Sequence, residues 1–217
     1  MDATPVSPRR LRYERHSTGK RVEPTERDML WFETLHRHGP LPSSYLLAYS
    51  RTIRASDTRS RERLGDLFHE TNTPHGGAYL DRPRQQWSAI SKFEKTVYDL
   101  SPAAQQCLTD RGLVPTVKPA APGPYHHRLM VSCITASLEL AVRENPMLRF
   151  IPQAEILARS PNKTLTMPCR ISYANTRTGK SQTLEAPVVP DALFGLEYAV
   201  RDQKYYRFFG ICSSPPA

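Results

Sequence analysis

A proline-rich stretch at residues 116–124 divides the chain, because it holds three prolines and one glycine among nine residues. Proline has no backbone N–H and keeps the preceding residue out of the helical region, so neither a helix nor a central strand continues through such a stretch. A chain of 217 residues is long enough for two domains that each bury a core. We therefore predict two domains, residues 23–115 and residues 125–217, with residues 116–124 as the linker between them.

Three helices are predicted in the first half of the chain from the spacing of its apolar residues. Thr25 is suited to cap the first helix, whose first turn carries acidic residues, and Gly39 ends that helix. A short second helix begins after Pro42. The third helix covers residues 57–69 and gathers its leucine and phenylalanine side chains on one face, which we expect to be buried.

Two strands and a closing helix follow the third helix. Residues 78–80 and residues 96–100 are predicted strands, and the loop between them carries Arg82 and Arg84. Ser101 then caps a helix that has proline at its first position. Three helices, a two-stranded wing and a closing helix are the element order of a winged-helix DNA-binding domain.

Arginine is concentrated around the third helix, where residues 51–63 contain five arginines and only two acidic residues. In a three-helix unit of this kind the last helix enters the major groove of DNA. Six arginines are therefore expected to contact DNA. They lie on this helix, just before it, and in the wing loop: Arg54, Arg59, Arg61, Arg63, Arg82 and Arg84. The expectation requires these guanidinium groups to face solvent. Charge on an outer face is also normal for a solvated amphipathic helix, so that alternative stays open.

The chain is basic throughout, with a net charge of +9 at pH 7. Residues 1–115 hold 18 Lys/Arg against 14 Asp/Glu, and residues 116–217 hold 12 against 7. Neutralisation of phosphates by such side chains drives most nucleic-acid affinity, so double-stranded DNA is the expected partner. Residues 1–22 carry six arginine or lysine residues with almost no apolar spacing, which predicts a flexible basic arm.

Membrane segments and metal-binding patterns are not evident in the sequence. The most apolar run, residues 129–142, is too short to span a bilayer, and the first twenty residues lack an apolar signal segment. The four cysteines are scattered without a Cys-x-x-Cys pair, which disfavours structural zinc and a disulfide framework. We therefore expect a cytoplasmic protein without membrane contact and without a resident cofactor.

The second half of the chain combines one long helix with several strands. The helix, residues 125–143, is apolar on nearly all sides, as expected for a buried or interface helix. Strands are predicted at residues 148–151, 164–174, 182–185, 192–198 and 205–211. The predicted fold class is therefore α+β, with a winged-helix domain followed by a second domain of helix and sheet.

Two acidic residues of this half are candidate metal ligands: Glu155, just after a strand, and Asp191, which follows a proline. Nucleases that hydrolyse DNA with Mg²⁺ gather carboxylates at strand ends, because this ion prefers hard oxygen ligands. In restriction-endonuclease-like folds a Pro-Asp pair is followed on the next strand by an acidic and a basic residue. The next strand here ends in Cys212 and Ser213, so that second pair is missing. Mg²⁺ is expected only under the nuclease hypothesis.

Four segments carry a family resemblance: YDLSPAAQQCLTDRG at 98–112, HHRLMVSCITASLELA at 126–141, PDALFGLEY at 190–198 and YYRFFGI at 205–211. Together they resemble the replication-relaxation proteins of plasmids and other mobile elements, over residues 21–211. The resemblance implies a winged-helix region joined to a restriction-endonuclease-like region, acting in plasmid replication, DNA relaxation or transfer. In that family the last of these strands runs on into charged residues, which residues 212–217 lack. We therefore expect a shortened nuclease-like domain without cleavage activity.

The last predicted strand, residues 205–211, is apolar along almost its whole length, which is typical of a strand covered on both faces. Without further elements beside it, a face or an edge is left bare, so we expect it to pair with a second copy or another protein. Three hypotheses for the chain follow: a DNA-binding accessory protein of a mobile element, a metal-dependent DNA nuclease, and a transcription regulator that dimerises through its C-terminal domain. The first and third share nearly all of their sequence features.

Overall fold

The computed structural model describes residues 12–53, 55–86, 95–114, 124–161, 167–174, 178–201 and 203–212. It contains helices and small antiparallel sheets, which confirms the predicted α+β class. The chain divides into two compact units, Met1–Ala136 and Ser137–Ala217, which we call unit 1 and unit 2. Among the described residues, no helix combines the length and the apolar character that crossing a membrane requires.

Unit 1 begins with three helices, α1 (Glu26–His38), α2 (Ser43–Ser50) and α3 (Asp57–His69). A capping box starts α1: Asp28 accepts hydrogen bonds from the backbone N–H and from the hydroxyl of Thr25, both at 2.8 Å. The helix ends where Gly39 adopts a φ of 97°, a conformation that glycine tolerates best. The capping residues of the sequence therefore predict both ends of α1 correctly.

A three-stranded antiparallel sheet accompanies these helices. Its strands are β1 (Leu41–Pro42), β2 (Leu80–Asp81) and β3 (Val97–Leu100), and β3 lies in the middle. Leu41 is paired with Tyr98 on one side of β3, and Leu80 is paired with Leu100 on the other. The sequence predicts β2 and β3 but not β1, because so short a strand is defined by its distant partner alone.

The connection between β2 and β3 begins with a single 3₁₀ turn (Arg84–Gln86). The side chain of Gln86 fastens this turn to β3, since its amide nitrogen donates to the Val97 carbonyl at 2.9 Å and its amide oxygen accepts from the Val97 N–H at 2.8 Å. Residues 87–94, the remainder of the predicted wing loop, lie outside the described residues. The start of the β2–β3 connection is therefore held by a side chain as well as by strand pairing.

The helix α4 (Pro102–Asp110) starts as the sequence predicts. Ser101 caps it by accepting a hydrogen bond from the Ala104 N–H at 3.3 Å, and proline occupies the first helical position. The Ser101 hydroxyl also donates to the carbonyl of Ala78, just before β2. One side chain thus joins the start of α4 to the sheet.

The core of unit 1 is formed by the inner faces of its helices and sheet. Trp31 is fully buried, and its indole N–H donates to the carbonyl of Leu46 at 2.7 Å. Phe32 packs on Tyr79 with the two ring centroids 5.3 Å apart. Further fully buried aliphatic side chains are Leu35, Leu41, Leu64, Leu67, Leu80 and Leu108. The apolar face predicted for α3 is therefore the face that points into the core.

The described part of the predicted basic arm, residues 12–22, lies along α3 and β2. Arg15 donates to the carbonyl of Phe68 at 3.0 Å and to the carbonyl of Leu80 at 3.1 Å. The expectation of a flexible arm is therefore corrected for these residues, which are held by backbone acceptors of the core. Residues 1–11 lie outside the described part of the chain.

Glu70 explains why this segment is held in place. Its carboxylate is fully buried and accepts a hydrogen bond from the Thr18 N–H at 2.9 Å. The hydroxyls of Ser17 and Thr18 donate to the same carboxylate, each at 3.0 Å. A buried carboxylate is costly unless donors satisfy it, so the polar segment and the acid stabilise each other. Composition alone does not distinguish such a segment from an unfolded one.

The helix α5 (Tyr125–Arg143) begins where the sequence predicts, but the two units meet inside it, after Ala136. Its first turns are bonded to the helices of unit 1. Ser132 donates to the carbonyl of His38 at 2.7 Å, and the Tyr49 hydroxyl donates to the carbonyl of Ala136 at 3.2 Å. The structure therefore places the boundary later than the predicted linker, most of which lies outside the described residues.

Unit 2 is built on two antiparallel sheets. Their strands are β4 (Leu148–Pro152), β7 (Ala192–Val200) and β8 (Gln203–Ile211) in the order β4-β7-β8, and β5 (Met167–Ala174) paired with β6 (Ser181–Val188). The five predicted strands are thus confirmed with small shifts at their ends. A short helix, α6 (Gln153–Arg159), follows β4 and is absent from the sequence prediction. It is fastened to the sheet because the Gln153 side chain accepts a hydrogen bond from the Leu193 N–H at 2.9 Å.

Candidate nucleic-acid interface

One face of α3 presents polar and charged side chains to solvent. The residues on it are Thr58, Arg59, Arg61, Glu62 and Gly65, which we call the α3 outer face. Positions three and four apart lie on the same side of a helix, so these residues form a continuous stripe opposite the buried leucines. A Cβ atom built on Gly65 meets no other heavy atom within 4 Å, so the helix backbone is accessible there.

Two of the predicted DNA-contacting residues, Arg59 and Arg61, lie on the α3 outer face. Arg59 is exposed and makes no ion pair with any residue that the structure describes. Arg61 lies 3.6 Å from a carboxylate oxygen of Asp57, one turn earlier, and 57% of its side chain is exposed. Exposed pairs of this kind contribute little to stability, so a phosphate can replace the carboxylate at small cost.

Arg63, in contrast, points into unit 1. Its guanidinium donates to the carboxylate of Asp28, with Nη2 2.7 Å and Nε 3.1 Å from the same oxygen, and it also donates to the Glu23 carbonyl. The Asp28 side chain is fully buried, and only 16% of the Arg63 side chain is exposed. The helical wheel places Arg63 on the solvent side, whereas the structure shows its charge neutralised within the fold. We therefore assign Arg63 a structural role.

The two arginines predicted on the wing have different surroundings. The Arg82 guanidinium lies 4.1 Å from the ring centroid of Phe68 and donates to the Tyr98 hydroxyl at 2.8 Å. Burial lowers the pKa of Arg82 from its ordinary value, because the guanidinium is partly withdrawn from water. Arg84 is exposed on the 3₁₀ turn and makes no ion pair within the described part of the chain. The remaining predicted contact, Arg54, lies outside the described residues.

The charge of α3 itself is balanced, because Asp57–His69 holds three arginines and three acidic residues. The two arginines of the α3 outer face are offset by Asp57 and Glu62 on the same helix. Lys20 pairs with Asp66 nearer the end of the helix, with nitrogen and oxygen 2.6 Å apart. The excess of arginine in residues 51–63 therefore comes from the residues before the helix, where Arg51 is exposed.

Thr58 and Gly65 are the positions of the α3 outer face that the sequence prediction did not single out. Both are small, and neither carries charge, so a search for arginine passes over them. The signal that finds them is helical spacing, because they flank Arg61 and Glu62 on one stripe of α3.

A cleft of about 370 Å³ lies at the start of the β2–β3 connection, lined by Asp81, Arg82, Pro83, Gln85, Asp99, Tyr125 and Arg128. Asp81 and Asp99 are register partners across β2 and β3. Burial raises the pKa of Asp99, and Arg128 lies 3.5 Å from its carboxylate. Because charges of both signs line the cleft and pair with each other, it does not indicate one class of ligand.

The two candidate metal ligands have different surroundings in unit 2. The Glu155 carboxylate, on α6, accepts hydrogen bonds from both terminal nitrogens of Arg149 at 2.8 and 3.1 Å, and Arg149 also lies 2.6 Å from Glu197 on β7. Asp191 directly precedes β7, and its backbone N–H donates to the carbonyl of Ile211 at 2.7 Å. No group of three potential ligands able to hold a metal is found among the described residues.

Arg149 instead organises a network of ion pairs on this sheet. Its hydrogen bonds lower the pKa of Glu155. The pKa of Glu197 is lowered by a hydrogen bond from Lys204, 2.8 Å away, and by Arg149. Both carboxylates are therefore held ionised by cations of the protein itself. The arrangement fastens α6, β4, β7 and β8 together.

Comparison of the chain with protein-family models, with curated proteins and with solved structures gave no match. The resemblance to replication-relaxation proteins accordingly rests on the four sequence segments alone. A functional interpretation of unit 1 depends on its own element order and on the side chains that α3 exposes.

Proposed function

We propose that unit 1 is a winged-helix DNA-binding domain and that the chain is a DNA-binding accessory protein. The observation that carries this proposal is an exposed polar face on α3 within the order α1-β1-α2-α3-β2-β3-α4, where β3 is the central strand. In a domain of this kind the third helix enters the major groove, and the loop between the last two strands lies against the DNA backbone.

The α3 outer face supplies the contacts in this proposal. Arg59 and Arg61 reach base edges or phosphates, because both are exposed and neither is held by a buried carboxylate. The accessible backbone at Gly65 and the short side chain of Thr58 let the helix approach the groove closely. Arg84 at the base of the wing contacts a phosphate of the backbone.

The biological setting follows from the sequence resemblance. It assigns DNA binding by this chain to the replication, relaxation or transfer of a plasmid or another mobile element. Unit 2 then corresponds to the restriction-endonuclease-like region. We propose a role in assembly and not in cleavage for it, since the Glu155 carboxylate is already occupied by Arg149.

The test is a titration of labelled DNA duplexes with the full chain, followed by fluorescence anisotropy at several salt concentrations. Arg59→Ala and Arg61→Ala should each weaken binding and reduce the slope of log affinity against log salt by about one for each lost phosphate contact. Both side chains are exposed, so circular dichroism should show an unchanged fold.

A matched control is Arg111→Ala. This arginine is exposed at the end of α4, a helix that packs on α1, and its loss should change neither the affinity nor the salt slope. If the Arg59 and Arg61 variants bind like the unsubstituted chain, or if no duplex binds at all, the proposed interface is wrong.

A further inference from the structure

The strand β8 forms an open edge of the sheet in unit 2. It pairs with β7 along its whole length, from Gln203 opposite Val200 to Ile211 opposite Ala192, while β4 lies on the far side of β7. Within the described part of the chain, β8 has a neighbour on one side only. The backbone N–H and carbonyl groups of such an edge are a template for another strand.

Large aromatic side chains project from both faces of this edge strand. Tyr205 is 41% exposed, Tyr206 46%, Phe208 60% and Phe209 44%. Successive side chains of a strand alternate between faces, so each face carries two of the four. At roughly 200 Å² for a whole aromatic side chain, these fractions amount to about 400 Å² of exposed aromatic surface.

Pairing of two edge strands covers only the flanks of these side chains, because they project from the faces of the sheet and not from its edge. Two copies therefore bury only part of their roughly 800 Å² of aromatic surface, and specific interfaces begin near 1,000 Å² in total, so we expect a weak pair. The aromatic side chains are also ordered on the sheet, since Phe209 stacks on Phe194 with ring centroids 5.1 Å apart and Tyr205 stacks on Tyr198 at 5.6 Å. Their burial by a partner therefore costs little further side-chain entropy.

The charged side chains of β8 limit the register in which two copies can pair. β8 carries two cations and no acid, but Lys204 is already neutralised by Glu197, at 2.8 Å. Arg207 makes no ion pair with any described residue. The only uncompensated charge that pairing must accommodate on β8 is therefore Arg207.

Symmetry then limits the register of a β8–β8 pair. Two identical edge strands that pair antiparallel in one continuous sheet are related by a twofold axis, so one residue faces its own copy. A register centred on Arg207 sets two arginines opposite each other, which is destabilising. Registers centred on Tyr206 or on Phe208 set Arg207 opposite Tyr205 or Phe209 of the second copy, where a cation–π contact is favourable.

We propose that β8 pairs antiparallel with β8 of a second copy of this chain, centred on Tyr206 or Phe208, and extends the three-stranded sheet to six strands. The proposal does not depend on DNA binding by unit 1, since it concerns unit 2 alone. Its failure would leave the proposed function of unit 1 untouched.

The first test is sedimentation velocity of the full chain from low micromolar to several hundred micromolar. We expect a monomer–dimer equilibrium, and Tyr206→Lys should raise the dimer dissociation constant at least about tenfold, the effect of 1.4 kcal/mol, with an unchanged circular dichroism spectrum. The proposal is wrong if the chain stays monomeric over this range. It is equally wrong if the monomeric chain binds another protein or a single-stranded oligonucleotide through the same strand.

The second test reads the register by disulfide crosslinking in a Cys212→Ser background, which removes an exposed native thiol. Residues that face their own copy have Cα atoms about 4.5–5.5 Å apart, a separation that a disulfide spans. We expect Tyr206→Cys or Phe208→Cys to yield a covalent dimer on mild oxidation. Gln203→Cys is the matched control, because it is exposed on the same strand but lies far from its copy in both registers. Equal crosslinking through Gln203→Cys, or none at either expected position, overturns the pairing.

Discussion

Replacement of Arg63 by alanine tests whether this arginine belongs to the fold. In the folded chain Arg63 donates to both oxygens of Asp28, whose side chain is fully buried. The substitution leaves that carboxylate with the two hydrogen bonds from Thr25. It therefore leaves a buried charge without its counter-ion, in the capping box that starts α1.

The expected cost is large. Breaking a buried ion pair by removing one partner destabilises a protein by about 3–5 kcal/mol. Because the Thr25 donors remain, we expect a loss near the lower end, about 3 kcal/mol, for Arg63→Ala. The exposed neighbour Arg61 is the matched comparison, and Arg61→Ala should cost no more than about 0.5 kcal/mol.

Urea unfolding followed by tryptophan fluorescence measures this difference, since Trp31 lies in the core of unit 1. The double variant Asp28→Asn with Arg63→Ala should be more stable than the sum of the single effects implies, because the uncompensated charge is then gone. If the free energies of unfolding of Arg63→Ala and Arg61→Ala differ by less than about 0.5 kcal/mol, Arg63 does not have the structural role assigned to it.

Three further predictions concern unit 2. The Arg149 guanidinium holds the pKa of Glu155 below its ordinary value, so this carboxylate stabilises the fold above its unfolded pKa of about 4.3 and loses that effect as pH falls. Arg149→Gln should therefore lower stability near neutral pH and make urea unfolding less sensitive to acid; a steeper acid dependence would contradict this. Gly195→Ala would place a methyl group 2.9 Å from the Phe208 ring, and thermal unfolding should show a free energy of unfolding lower by about 1–3 kcal/mol. An unchanged free energy of unfolding would mean that the ring simply moves aside. When supercoiled DNA is incubated with the chain and Mg²⁺, Asp191→Ala should leave the gel pattern of the DNA unchanged. Nicking that depends on Asp191 would restore the nuclease hypothesis.

Much of the fold is predictable because helix ends are specified locally. Thr25 and Gly39 bound α1, and Ser101 begins α4, each through bonds to nearby backbone groups. The elements that the sequence does not reveal depend on distant residues. β1 is a two-residue strand that exists through its pairing with β3, and α6 is fastened by a hydrogen bond from β7 to Gln153.

The surroundings of the candidate contact residues were harder to predict than the fold, for a similar reason. A helical wheel shows the direction of a side chain but not its partner, and Arg63 finds its partner 35 positions earlier in the chain. Arg82 likewise packs on Phe68 and Tyr98, which belong to other elements. Long side chains at the border of a buried face can turn inward when an acidic side chain or an aromatic ring lies within contact distance. Arg59 and Arg84 meet no such partner among the described residues, and Arg61 pairs only with the exposed carboxylate of Asp57.

The boundary between the two units, which falls inside α5, decides how unit 1 can be produced on its own. Ser132 and Ala136 of α5 are buried and are bonded to His38 and Tyr49 of unit 1. A recombinant fragment that stops before α5 would lose these bonds. A fragment that runs to the middle of α5 keeps them, and is the piece to express for binding and crystallisation work.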